Sequence, residues 1–160
     1  MSEEFDMPAP DAIALLKADH KRVKGLLEQL EKTTERGAAK RTKLLDRIDR
    51  ELKTHTEIEE TIFYPAFRDA VKKKEDREMY FEALEEHHVV KIVLPELQET
   101  DPSSEPFAAK AKVLKELVTH HAKEEERDMF AEAKKVFEKK ELQDLGGRME
   151  ARKKALMRGR

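Results

Sequence analysis

The stretch HTEIEETIFYP, residues 55–65, decides how this chain folds. His55 and Glu59 stand four apart, a spacing that on an α-helix puts both on one face, about 6 Å from each other. Ile48 and Leu52 precede them on that face and Ile62 follows, so the pair belongs to a stripe turned toward a core. Straight helical geometry carries Tyr64 about 180° around from His55. That makes it a packing aromatic, unless a bulge ahead of Pro65 rotates its phenol inward.

The same stepping by three and four recurs along the chain. Ile13, Leu16, His20, Val23, Leu27 and Leu30 form one stripe, and Tyr80, Ala83, His87, Val90, Leu94 and Leu97 form another. A further run gives Leu114, Val118, His121, Glu125 and Asp128. HKRVKGLLEQL from His20 aligns without gaps on HHVVKIVLPEL from His87, and His55 with Glu59 maps onto His121 with Glu125. Matching ETIFYP to ERDMFA keeps that register, rather than the one using His120 and Glu124. The chain therefore reads as a duplicated helix pair, an all-α, up-down-up-down four-helix bundle with a pseudo-twofold axis.

The expected helices run from Asp11, as N-cap, to about Glu35, from 38 to 72 with Pro65 near the end, from about Arg77 to TDPSSEP, and from Glu105 or Phe107 onward. The bundle occupies residues 1–140, and 141–160 read as a short, basic, solvated C-terminal helix or tail. Composition agrees: of 160 residues, 42% are charged, Gly and Pro number only 5 and 6, and Ala, Glu, Lys, Leu and Arg exceed half. A net charge of −2 offers no basic field for nucleic acid, and no apolar run is long enough for a membrane. With no cysteine there is neither thiolate nucleophile nor iron–sulfur ligation. The opening MSEEFDMPAP lacks the basic and apolar regions of a secretory leader, so the expected location is the cytoplasm.

A single inward histidine is ordinary packing. Four imidazoles and two carboxylates facing one interior, with no inward Lys or Arg, would each cost several kcal/mol without a compensating charge. A cation supplies it, and six donors suit two metals. Imidazole and carboxylate without thiolate fit iron, manganese or zinc, with iron favoured because structural zinc sites are often thiolate-rich.

The order His20, then HTEIE, then His87, then HAKEE resembles the hemerythrin-like HHE cation-binding domain over nearly the whole bundle. The resemblance implies a non-haem di-iron centre with an oxygen bridge, held by His20, His55, Glu59, His87, His121 and Glu125, with both carboxylates as candidate bridges. It implies small-ligand chemistry, read here as binding or reducing dioxygen, peroxide or nitric oxide. With two histidines per iron and no second inward histidine on the third helix, catalase-like peroxide breakdown is expected rather than reversible oxygen carriage. An iron- or oxygen-sensing or oxygen-binding module without turnover and a purely structural bundle are the alternatives. Tyr64, Glu60 and His120 are candidates for supporting contacts around the six. Oxygen-carrying hemerythrins supply two histidines four apart on the third helix, whereas His87 here is followed four later by Lys91. That departure bears on oxygen storage, not on the metal set.

Overall fold

In the computed structural model, residues 9–159 are described. The first eight residues, on which the leader reading partly rests, lie outside them. Helix α1 spans Ala12–Glu31, and α2, Ala38–Ile58, continues through a π turn at Glu59–Phe63 into α3, Tyr64–Ala70. Helix α4 spans Lys74–Gln98. Helix α5, Glu105–Glu124, passes through a second π turn at Glu125–Met129 into α6, Phe130–Val136, and α7 covers Lys139–Arg158. The four bundle members form a closed ring, α1 against α2, α2 against α4, α4 against α5 and α5 against α1.

Local chemistry sets the helix ends. Asp11 caps α1 by accepting from the Ala14 amide at 2.8 Å. The helix stops at Glu31, short of the expected Glu35, because the Thr33 hydroxyl takes the Leu30 carbonyl. The second helical run ends at Ala70 rather than 72, where Val71 turns extended. Helix α4 starts at Lys74 rather than Arg77, which puts Glu75 and Asp76 in its first turn, where the helix dipole favours negative charge. Buried Arg41 donates to the carbonyls of Pro102 and Thr33 and lies 4.8 Å over the Phe107 ring, fastening two connections at one end of the bundle.

Each π turn inserts about one extra residue into its helix and so rotates the residues beyond it by roughly a quarter turn or more. Two expected stripe positions are corrected as a result. Ile62 and Asp128 are only partly buried, while Phe63, Tyr64, Phe67, Met129, Phe130 and Ala133 fill the interior. The two turns are 66 residues apart, the offset that maps His55 onto His121.

The core is two apolar clusters. One contains Leu16, Ile58, Phe63, Phe67 and Phe130, the other Val23, Leu27, Ile48, Leu97 and Leu114. The buried histidines lie in the layer between them, since each comes between the two sets along its helix.

The C-terminal segment differs from its reading as a short solvated helix. Helix α7 begins at Lys139 under a capping box formed by Glu138 and Glu141, and it packs on α1 and α2 with Leu142, Leu145 and Met149 buried. Gly146 makes this approach possible, because a Cβ there would overlap the Pro10 carbonyl oxygen and come within 2.6 Å of Asp11 C and 2.8 Å of Ala12 N. Gly146→Ala should therefore cost about 1–3 kcal/mol, a drop of roughly 2–12 °C in melting temperature at this chain length. An unchanged melting curve would contradict this close docking.

Candidate metal centre

Helix α1 turns His20 inward, α2 presents His55, and α4 presents His87. Helix α5 presents His121, and the first residues of the two π turns are Glu59 and Glu125. All six are buried, Glu59 completely. His88 and His120 are exposed, so the register expected from the repeat is the one that points inward.

Glu59 Oε1 lies 2.9 Å from His55 Nε2 and 3.1 Å from His87 Nε2. Across the layer, Glu125 Oε1 lies 3.1 Å from His20 Nε2 and Oε2 lies 3.4 Å from His121 Nε2. Each glutamate thus spans its own helix and a neighbour, in the same pattern in both halves of the repeat. Potential ligand atoms of His20, His55, Glu59 and Glu125 fall within 4.8 Å of one another, as do those of Glu59, His87 and His121, so Glu59 belongs to both groups.

Five inner atoms, His20 Nε2, His55 Nε2, Glu59 Oε1, Glu59 Oε2 and Glu125 Oε1, are buried without a hydrogen-bond partner. They approach one another closely but are not aligned as donors and acceptors. Buried polar atoms left this way are costly. Nitrogen and oxygen donors converging on shared points are what a cation satisfies, and the residues present fit one.

The outer nitrogens are fully engaged. His55 Nδ1 meets Asp19 at 2.9 Å, His87 Nδ1 meets Glu60 at 2.7 Å, His121 Nδ1 meets Glu86 at 2.6 Å and His20 Nδ1 meets Glu126 at 2.8 Å. Each carboxylate is adjacent in sequence to one of the six inward residues and serves the histidine of the next helix, so the contacts close a ring, α1 to α2 to α4 to α5 and back. An Nδ1–H held by a carboxylate orients the ring and aims the Nε2 lone pair at the centre. Asp19 is in turn paired with Lys153 of α7 and, at 3.0 Å, with Arg22, while Lys91 reaches Glu60 at 2.9 Å.

Of the candidates for supporting contacts, Glu60 takes that position. His120 stands at the surface, 3.1 Å from Glu124 and 4.0 Å from Glu86, and does not touch the six. Asp19 and Glu86 escaped the sequence reading, since one step along a helix rotates a side chain by about 100°. Their signal was present: both immediately precede the first inward histidine of their repeat.

Tyr64 is fully buried and enters the layer. Its hydroxyl donates to Glu125 Oε2 and lies 3.2 Å from His87 Nε2 and 3.4 Å from His121 Nε2. The repeat places Phe130 at the equivalent position, stacked 5.9 Å from His20. One phenolic oxygen therefore breaks the symmetry of the layer.

Charge follows the same geometry. Burial pulls the His55 imidazolium down, yet Glu59 and Asp19 outweigh it and lift the group to about 10. Burial likewise opposes His121, which Glu125 and Glu86 raise to about 11. Burial and then the Glu125 and Glu59 carboxylates push the Tyr64 phenol well up, keeping it protonated. Without metal, a histidine raised above its ordinary 6.5 adds stability fully present below that value and lost as pH rises through about 10. Chelated protein should accordingly lose resistance to urea between about pH 6.5 and 10, and a flat midpoint over that window would contradict the pairing.

The hemerythrin HHE cation-binding domain profile matches residues 11–133. The chain belongs to that family. A crystal structure of a hemerythrin HHE cation-binding domain-containing protein from Mycobacterium kansasii matches this HHE domain with a TM-score of 0.80 at 30% identity, covering 92% of this chain and 87% of the other. A DNA nickase of Nostoc sp. (strain PCC 7120 / SAG 25.82 / UTEX 2576) is 28% identical over 130 residues, 81% of this chain. The HHE domain spans about a third of that relative, 34% of its length. Helix α7, with Lys153 on Asp19, lies beyond the residues the profile matches. Among the described residues no helix is long and apolar enough to cross a membrane.

Proposed function

We propose that this HHE domain is a non-haem di-iron protein that binds or reduces a small oxidant, namely dioxygen, peroxide or nitric oxide, with catalase-like peroxide breakdown as its turnover. His20, His55, Glu59, His87, His121 and Glu125 would hold the two ions, with Glu59 offering a donor to both groups. The observation that carries this reading is the set of five buried, unpartnered donor atoms at the centre of four carboxylate-oriented imidazoles.

Bound iron would supply electron transfer and Lewis acidity. The chain's own part is proton handling and exclusion of water. In peroxide breakdown, two peroxides yield two waters and one dioxygen, so protons leave one peroxide and must reach the other. Tyr64 Oη is held protonated beside Glu125 Oε2, so it is the group in the layer that could give a proton to the peroxide being reduced and take one back from the peroxide being oxidised. Next to the same histidines, on the side lined by Val23, Leu52 and Val118, an apolar cavity of about 30 Å³ offers room for a diatomic or a single water.

The test is metal content with an absorption spectrum. After anaerobic reconstitution the protein should carry about two iron atoms per chain and, once oxidised, absorb in the near ultraviolet. Less than about half an iron per chain, or tight zinc at about one equivalent, would sink the di-iron reading. A module that senses iron or oxygen without turnover is the second reading, favoured by the relative in which the matching region is a third of a longer protein. Dioxygen release from peroxide separates the two.

A further inference from the structure

The buried layer has two unlike sides. Toward Val23, Leu52 and Val118 it meets the small cavity, whose exposed lining is mostly apolar and whose polar groups are the centre's own four histidines with Asp19 and Thr56, so no acidic rim draws a hydrated cation to that side. Toward the groove between α4 and α5 it meets an acidic pocket of about 80 Å³, lined by Glu82, Glu86, Glu124 and Asp128, whose floor is His121 and Glu125. Arg127 forks onto Asp128 at 2.8 and 2.9 Å and offsets its charge, leaving the three glutamates to set the sign.

At the rim of this pocket Glu86, His120 and Glu124 bring one potential ligand atom each within 4.8 Å of one another. His120 is 65% exposed and meets Glu124 Oε1 at 3.1 Å, with Glu86 Oε2 at 4.0 Å. The other oxygen of Glu86 holds His121 Nδ1. One carboxylate thus belongs to the surface trio and to the buried ring. Below it, Glu125 is 3% exposed and its Oε1 has no partner. Glu125 therefore joins the pocket to the centre, since it lines the pocket while its unpartnered Oε1 is turned inward, 3.1 Å from His20 Nε2. A divalent cation entering on this side would meet carboxylate and imidazole donors with which to exchange its water stepwise.

We propose that Glu86, His120 and Glu124 form a capture site for divalent cations, and that the pocket beneath is the way by which metal reaches His121, Glu125 and the rest of the centre. This rests on the metal-binding reading above. The site focuses cations and raises the local concentration over the pocket, so it acts on the rate of loading and not on the final load.

Ferrous iron is mixed anaerobically with metal-free protein at low micromolar concentration, and the loading rate and final iron content are measured. His120→Ala combined with Glu124→Gln should load about tenfold more slowly, with final iron content and melting temperature unchanged. Asp46→Asn, which removes one negative charge from an exposed site on α2, should load like the native protein. Equal rates in all three would overturn the proposal, as would an equal slowing in Asp46→Asn or a loss of final iron in the double variant. If the native protein itself takes up no iron, the metal-binding reading fails; if it loads equally fast without the trio, only the path fails.

Discussion

Glu59→Ala should abolish stable metal binding altogether. Glu59 is the one residue common to both groups of converging donors, it is completely buried, and both of its oxygens lack partners. Removing it takes a donor from each proposed ion at once, so the loss exceeds the roughly 10–100-fold that a supporting contact is worth. Stability should fall with it. The proposed ligands come from all four bundle members, so metal binds the folded state in preference to the unfolded one. Saturation at about 100–1,000 times Kd stabilises by about 3–4 kcal/mol, or roughly 10 °C at this length. Iron-loaded native protein should melt about that much higher than Glu59→Ala or chelated protein, whereas exposed His88→Ala should keep both iron and melting temperature. Iron retained by Glu59→Ala, or lost equally by His88→Ala, would refute the arrangement.

Tyr64→Phe should leave iron content near native and lower peroxide turnover by about 10²-fold, the usual scale for loss of a positioned proton donor. The substitution keeps the ring that packs 5.2 Å from His87 and removes only the oxygen beside Glu125. Leaving Glu125 Oε2 without its donor costs about 1–3 kcal/mol, which a melting curve reports independently of turnover. Full activity in Tyr64→Phe would reduce the hydroxyl to a structural hydrogen bond. His121→Ala, which removes a proposed ligand and not a proton donor, should instead lose both metal and activity. A stable oxygen adduct released under vacuum, with no peroxide turnover in the native protein, would restore the carrier reading.

The six inward residues were legible because helix periodicity is a one-dimensional signal. His20, His55, His87 and His121 each occupy a slot in a stripe whose other members are apolar, and the near-equal offsets of the two halves select His121 over His120. The same regularity misled at Ile62 and Asp128, where a π turn adds a residue to the turn and the stripe moves on to Phe63 and Met129. Tyr64 shows the consequence: straight geometry turns it away from His55, and only the turn ahead of it brings its hydroxyl to Glu125. The carboxylates behind the histidines were harder still, since Asp19 serves a histidine on α2 and Glu86 one on α5, and such pairings depend on how neighbouring helices sit.

By itself, then, the sequence determined the four-helix architecture, the duplication and which histidines and glutamates face inward, because hydrophobic burial acts on every helix through the same 3.6-residue period. Only the tertiary structure decided the closed ring of supporting carboxylates, the entry of Tyr64 into the layer and the docking of α7 through Gly146. Those depend on a local change of helical pitch and on distances between separate helices, neither of which a repeating pattern along one chain encodes.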